Sequence, residues 1–286
     1  MNHPSPTATP LAKRSLWQQA ADVRHRARAV LGGHSGRVSH WMTLTLALVI
    51  VLTAAVALYM AVGGLATACY LVFGEAVWVD AVTNVLLAAS YLALILPLLA
   101  SAWRLACLMT APDGAVVNGM PVSVPSANLA ELFYPFTSLR AYGRTMAVAM
   151  EGLGWTVLSV GVPILFFRLA MLSLDFLAKT SSFLYGLLAV TLFILCASLG
   201  LLAFLLSGKR AGFGYFVFVH EEISLNDVNR FYRGFHRPLF PVFCLRVSLS
   251  GWYALSVVGI LVPFLLYTAP YGLCAAAEYS QNLKRL

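Results

Sequence analysis

Apolar and polar positions alternate along this chain on a coarse scale: long apolar runs separated by short polar or amphipathic stretches. Trp41 to Tyr70 is the first run and carries no charge. A helix needs about 20 residues to cross ~30 Å of hydrocarbon, so this run is long enough to span with residues to spare. Ala81 to Met109 is the second, Thr145 to Phe167 the third and Phe183 to Leu206 the fourth. The last apolar stretch, Leu239 to Leu283, would reach ~65 Å as one helix, about twice the hydrocarbon thickness. It divides better into Leu239–Val258 and Leu261–Ser280, turning at Gly259-Ile260, with Pro263 in the first turn of the second helix. The pattern predicts six spans, five being the alternative.

Between the runs the period changes to that of half-buried helices. Trp17, Ala20, Val23, Ala27, Val30 and Leu31 recur at helical spacing, with Arg24, Arg26 and Arg28 among them, and Gly32-Gly33 ends the pattern. A basic amphipathic helix of this kind is expected in the headgroup region of a membrane. A second such helix is expected over Leu129 to Arg144, with Asn128 as cap, Glu131 in its first turn and Pro135 kinking or dividing it. A third runs from a Ser224 cap to Phe235. The predicted fold is therefore all-α: a polytopic membrane protein of three hairpins, each led by an amphipathic helix. The units are a Pro-, Ser- and Thr-rich tail (1–13), then 14–128, 129–222 and 223–286. Leu169 to Ser182 reads as a connection, residues 110–127 as a Pro/Gly loop, and Phe213–Val219 either extends the fourth helix or packs at its mouth.

Composition agrees with this picture. Of 286 residues 60% are apolar and only 10% charged, against roughly 25% charged in soluble domains. The net charge of +8 sits between apolar runs, which suits orientation beside anionic lipid and gives no reason to invoke nucleic acid. With both termini on the cytoplasmic side, 17 of the 19 Lys and Arg fall there, all but Arg168 and Lys179. The positive-inside rule favours that orientation in a bacterial cytoplasmic membrane. No cleaved signal peptide is expected, because the first apolar run is longer than an h-region and follows forty mostly polar residues.

An internal repeat overlies the spans. Gly154-Trp155-Thr-Val-Leu158-Ser159-Val160 reappears as Gly251-Trp252-Tyr-Ala-Leu255-Ser256-Val257. Phe133 lies 22 positions before the first tryptophan and Phe231 lies 21 before the second, and each copy continues to a glycine and a proline (Gly161, Pro163; Gly259, Pro263). Repeats of this kind often reveal membrane architecture. Gly154 with Trp155, and Gly251 with Trp252, are read as pseudo-symmetric packing, ligand stacking being the alternative. The repeat sets Glu151 and Arg246 at similar depth on related helices. Either they pair inside the membrane or line a polar cavity, or both side chains snorkel to the headgroups.

The last fifty residues resemble a bacterial membrane family known only as domain of unknown function 975. The resemblance rests on Phe243-x-Leu245-x-x-Ser248-x-x-Gly251-Trp252-x-x-Leu255, a glycine turn, then Pro270-Tyr271, with the Arg-rich leading helix and Leu132-Phe133-Tyr-Pro-Phe136 in agreement. Three features depart from the family pattern: Glu278-Tyr279 replaces its closing Phe-Tyr, Tyr232-Arg233-Gly234 its Met-x-Gly, and Gly161-Val-Pro163 its Pro-Gly-Ile turn. The resemblance implies a fold and carries no activity, cofactor or catalytic residue.

Sites for chemistry are not legible. His25, His34 and His40 suit no helix-face metal site, His220-Glu221-Glu222 is not HExxH, and the cysteines are scattered within apolar runs. GxSxG, P-loop and GxGxxG motifs are missing. Thr83, Asn84 and Ser90 in the second span either line a path or bond between helices. The function expected is non-enzymatic, without cofactor or metal: a membrane scaffold that gathers anionic inner-leaflet lipid, a protein partner or further copies of itself. Arg24, Arg26, Arg28, Arg140, Arg144, Arg230, Arg233 and Arg237 are its expected lipid contacts. The alternative is a small transporter or lipid-handling protein with a cavity between the repeated hairpins.

Overall fold

The computed structural model describes residues 15–35, 38–74, 77–111, 116–117, 120–121, 127–180, 183–233, 243–251 and 264–282. Among the described residues the fold is all-helical apart from two tiny antiparallel ladders, His34–Ser35 with Val38–Ser39 and Val116–Val117 with Met120–Pro121. Among the described residues three helices are long and apolar enough to cross a membrane: His40–Phe73, Val77–Thr110 and Phe183–Leu202. Of the fifth and sixth predicted spans only residues 243–251 and 264–280 lie within the described residues, and the Gly259 turn lies outside them.

Helix α1 (Leu16–Leu31) starts at a capping box: Ser15 accepts from the Gln18 amide and the Gln18 side chain bonds back to the Ser15 amide. It ends where Gly33 gives room to the next helix. A Cβ at Gly33 would stand 2.9 Å from the His40 ring nitrogen, which itself lies 2.8 Å from the Val30 carbonyl. The expected apolar face is present as Ala20, Val23, Ala27 and Leu31, but it is buried against the C-terminal helix α10 (Ala269–Asn282) and not left for acyl chains. Trp17 stays out, 56% exposed. The expectation of a helix lying free in the headgroups is corrected accordingly.

Helix α2 (His40–Phe73) runs antiparallel to a rod made of α3 (Val77–Ser90), a π-turn (Tyr91–Ile95) and α4 (Leu96–Thr110). A 3-10 segment (Leu129–Phe136) follows, then α5 (Leu139–Thr156), a π-turn (Val157–Gly161) and α6 (Val162–Thr180). Pro135 closes the 3-10 segment as expected of a residue without an N–H. Ser138 restarts the chain by accepting from the Ala141 amide at 3.1 Å. The expected connection Leu169–Ser182 is helical to Thr180. It contains no Gly or Pro, and Arg168, Asp175 and Lys179 fall at spacings of seven and four, on one helical face. Helix α7 (Phe183–Val219) packs back along α6 and carries Phe213–Val219 into the core, where all of that segment is buried. Helices α8 (Leu225–Arg233, capped by Ser224), α9 (residues 243–251) and α10 complete the chain.

Proline shapes three of these rods in one way. Each π-turn ends two residues before a proline: Ile95 before Pro97, Gly161 before Pro163, Thr268 (turn Phe264–Thr268) before Pro270. A proline removes the bond to the carbonyl four residues back and crowds it, and a widened turn relieves the crowding. Freed carbonyls need donors where water is scarce. The Tyr142 hydroxyl donates to the Ala93 carbonyl at 3.1 Å, and the Trp41 indole N–H donates to the Leu266 carbonyl. Both donors come from another helix, so each bend is also a tie between rods.

Burial is uneven along the rods. One end, here called the base, collects the core: α1, the first half of α2, α4, the 3-10 segment, the start of α5, the end of α7 and α10. Beyond it the α2/α3 and α6/α7 hairpins carry exposed apolar side chains. Between Phe183 and Leu202 the one buried side chain is Ala189.

Candidate functional site: a buried arginine cluster at the base

The last carbonyls of a helix have no partner within it and carry its negative partial charge. Helix α7 ends inside the protein, so its carbonyls must be satisfied by protein groups. The Phe216 carbonyl accepts from the His220 amide at 3.1 Å. The Arg144 guanidinium donates to the carbonyls of Val217 (2.9 Å), His220 (3.0 Å) and Ile223 (2.8 Å). Arg104 reaches the Phe218 carbonyl at 3.4 Å and Arg140 the Glu221 carbonyl at 3.3 Å. Arginine suits this place because its fork offers five fixed donors and it sheds water more readily than an ammonium.

Arg104 is the centre of the cluster and is 1% exposed. Its Nε and Nη2 donate to Glu131 Oε2 at 3.2 and 2.8 Å, and Nη1 donates to Glu221 Oε1. The Tyr134 ring lies against the guanidinium, 3.7 Å from centroid to Cζ, a cation–π contact. One residue of α4 thus ties the 3-10 segment to the α7–α8 junction. Burial pushes the Tyr134 phenol up, and the Glu221 carboxylate adds to this against the opposing pull of Arg104 and Arg144. The phenol is therefore neutral well beyond neutral pH. Glu131 and Glu221 keep one edge in solvent (side chains 20% and 35% exposed), so the cluster sits at the protein's rim.

All three guanidinium nitrogens of Arg104 and both terminal nitrogens of Arg144 hold elements together, whereas Arg144 Nε is buried without a hydrogen-bond partner. Among the described residues no group of three His, Cys, Asp or Glu could hold a metal ion. The arrangement is a clasp that closes the ends of α4, α5 and α7 on one another.

Arg144, expected among the lipid contacts, is 3% exposed with its fork on three carbonyls, so that expectation is corrected. Arg140 is exposed and Arg230 is exposed on α8; Arg237 and the Arg233 side chain lie outside the described residues. Arg24 and Arg26 are half-buried and Arg28 exposed, turned to α10: Arg26 pairs with Glu278 at 3.4 Å and Arg28 lies 5.6 Å from the Tyr271 ring centre. Glu151 and Arg246 are each half-buried and engaged in further contacts. Trp155 is half-buried, while Trp252 lies outside the described residues. A Cβ on Gly154 or Gly251 would meet nothing within 4 Å, so neither glycine sits at a close helix crossing in this chain. The close crossing falls instead at Gly214, where a Cβ would stand 2.5 Å from Trp103 Nε1.

Comparison with protein-family models, curated proteins and solved structures found no match. The residues that form the clasp were visible as separate signals: an arginine at the end of an apolar run, a glutamate after an asparagine cap, two arginines beside a span, and a His-Glu-Glu. Nothing in the sequence alone joins positions 104, 131, 144 and 221.

Proposed function

We propose that this chain is a non-enzymatic, multi-pass protein of the bacterial cytoplasmic membrane, six spans in three hairpins, with its base and both termini on the cytoplasmic side. The base gathers anionic inner-leaflet lipid or a protein partner. The single observation that carries this reading is the contrast between a base closed by buried ion pairs and hairpins whose apolar faces have no protein cover. Apolar faces of this extent mark a surface covered by membrane or by a partner, and on helices long enough to span a bilayer hydrocarbon is the natural cover. The rim of the base has the character of an interfacial surface: Trp17, Phe133, Phe136 and Leu139 are exposed beside the exposed Arg28 and Arg140, and aromatic and basic side chains together favour the headgroup zone.

The transporter alternative draws less support. The hydroxyls of Thr53, Thr67, Thr191 and Ser198 donate to carbonyls of their own helices, and of the positions read as lining a path Asn84 is exposed on the outside of its hairpin while Thr83 and Ser90 are half-buried. The family resemblance is consistent with the membrane reading and adds no activity. Gentle purification followed by mass spectrometry of bound lipid tests the proposal. Enrichment of anionic lipid over the bulk membrane, reduced when Arg28 and Arg140 are replaced by Gln, is the expected result. Lipid in bulk proportions, unchanged in that variant, would remove the lipid half of the reading.

A further inference from the structure

We infer that the outer half of the α2/α3 hairpin is a self-association surface, on which a second copy of this chain docks with the two Asn84 side chains bonded to each other. The inference rests on the membrane reading of this hairpin and goes beyond it by naming the partner.

Asn84 is the only amide side chain in the three helices long and apolar enough to cross a membrane. It is exposed and makes no hydrogen bond among the described residues. The hydroxyls of Thr53, Thr67, Thr191 and Ser198 satisfy themselves on the carbonyl four residues back. An asparagine amide has two donors and an acceptor and is not satisfied that way. Asp80, one turn nearer the helix start, is held by the Tyr70 hydroxyl, which places the polar boundary there. Asn84 therefore lies about 6 Å further in, where water is scarce. An unsatisfied amide in hydrocarbon is costly, and bonding across a helix pair removes the cost.

A second copy fits this demand by chemistry. An amide is its own complement: across a two-fold axis each donates to the other's oxygen, which closes an isologous pair. Shape allows the approach. Ala88, one turn along, is small and exposed. The Tyr70–Asp80 and Tyr91–Ala55 bonds fix the register of α2 against α3, and by it Asn84 is level with Gly63 and Gly64. A Cβ on either glycine would meet nothing within 4 Å. An amide beside backbone that lacks side-chain cover is the composition of a membrane helix contact.

The test is single-molecule photobleaching of singly labelled full-length protein at low density in neutral phosphatidylcholine vesicles, after flotation to establish insertion. Wild type should bleach mostly in two steps. N84V should shift to one step, with association about 5- to 30-fold weaker and the same thermal stability. N84Q should restore much of the pairing, and G64L should weaken it independently. A monomeric wild type, or N84V pairing like wild type, overturns the inference while leaving the membrane and lipid reading intact. Pairing that requires anionic lipid and ignores Asn84 does the same. Protein that fails to float overturns both.

Discussion

Replacing Arg144 with Met separates the clasp from a lipid contact. Methionine keeps most of the stem's volume and removes the fork. The carbonyls of Val217 and Ile223 then lose the Arg144 donor, while His220 keeps the Ile223 amide at 3.2 Å. A buried carbonyl left unpaired costs about 1–3 kcal/mol, so two give ~2–6 kcal/mol, and partial water entry at the rim favours the lower half. Arg140 is exposed and holds one carbonyl at 3.3 Å, a contact worth under ~1 kcal/mol. At about 2–4 °C per kcal/mol for a chain of this size, R144M should melt roughly 5–15 °C below wild type and R140M within about 3 °C. The assay is thermal melting of fluorescently tagged protein in mild detergent, read as the folded peak in size exclusion. Raising salt from 0.1 to 1 M should not close the gap, since a buried fork is little screened. Equal, small effects of the two substitutions on melting, with equal losses of anionic-lipid binding, would refute the clasp.

Other consequences are as direct. Gly214→Ala should destabilise by about 1–3 kcal/mol, because the new Cβ meets Trp103 Nε1 at 2.5 Å and Val148 Cγ1 at 3.0 Å, whereas Gly154→Ala has open space and should be neutral or slightly stabilising on melting. Trp41→Phe strands the Leu266 carbonyl freed by Pro270; it should lower stability by about 1–2 kcal/mol and speed amide exchange around residues 266–270. The folded Tyr134 phenol titrates above its ordinary value of 10.0, so its contribution is intact below that value and is lost as pH rises through the folded one. The alkaline fall in melting temperature should be shallower in Tyr134→Phe.

The coarse fold was readable because its signals are one-dimensional. Apolar run length gave α2 and the α3–α4 rod, Asn128 and Ser224 marked helix starts, and Pro135 marked the division before α5. Errors came where three-dimensional cover decides. The face of α1 reads alike whether lipid or α10 covers it, and Arg140 and Arg144, four residues apart, read alike until α7 is seen to end between α4 and α5. Asp175 and Lys179 read as marks of a connection, whereas the helix runs on to Thr180 and carries them on one face. The repeat drew notice to Gly154 and Trp155, yet the tight crossing lies at Gly214, whose only sequence mark is a glycine in an apolar helix. Pro97, Pro163 and Pro270 were visible, but the widened turns before them follow from which carbonyls find donors.

The orientation of base and hairpins in the membrane is tested most directly by an impermeant maleimide on single added cysteines in intact spheroplasts. Ser224→Cys reports the base and Val77→Cys, 86% exposed in the native chain, the opposite end; the native cysteines are buried or half-buried. The account predicts labelling of position 77 from outside and of position 224 only after the membrane is opened. Labelling of 224 in intact spheroplasts, or of both positions alike, would contradict it.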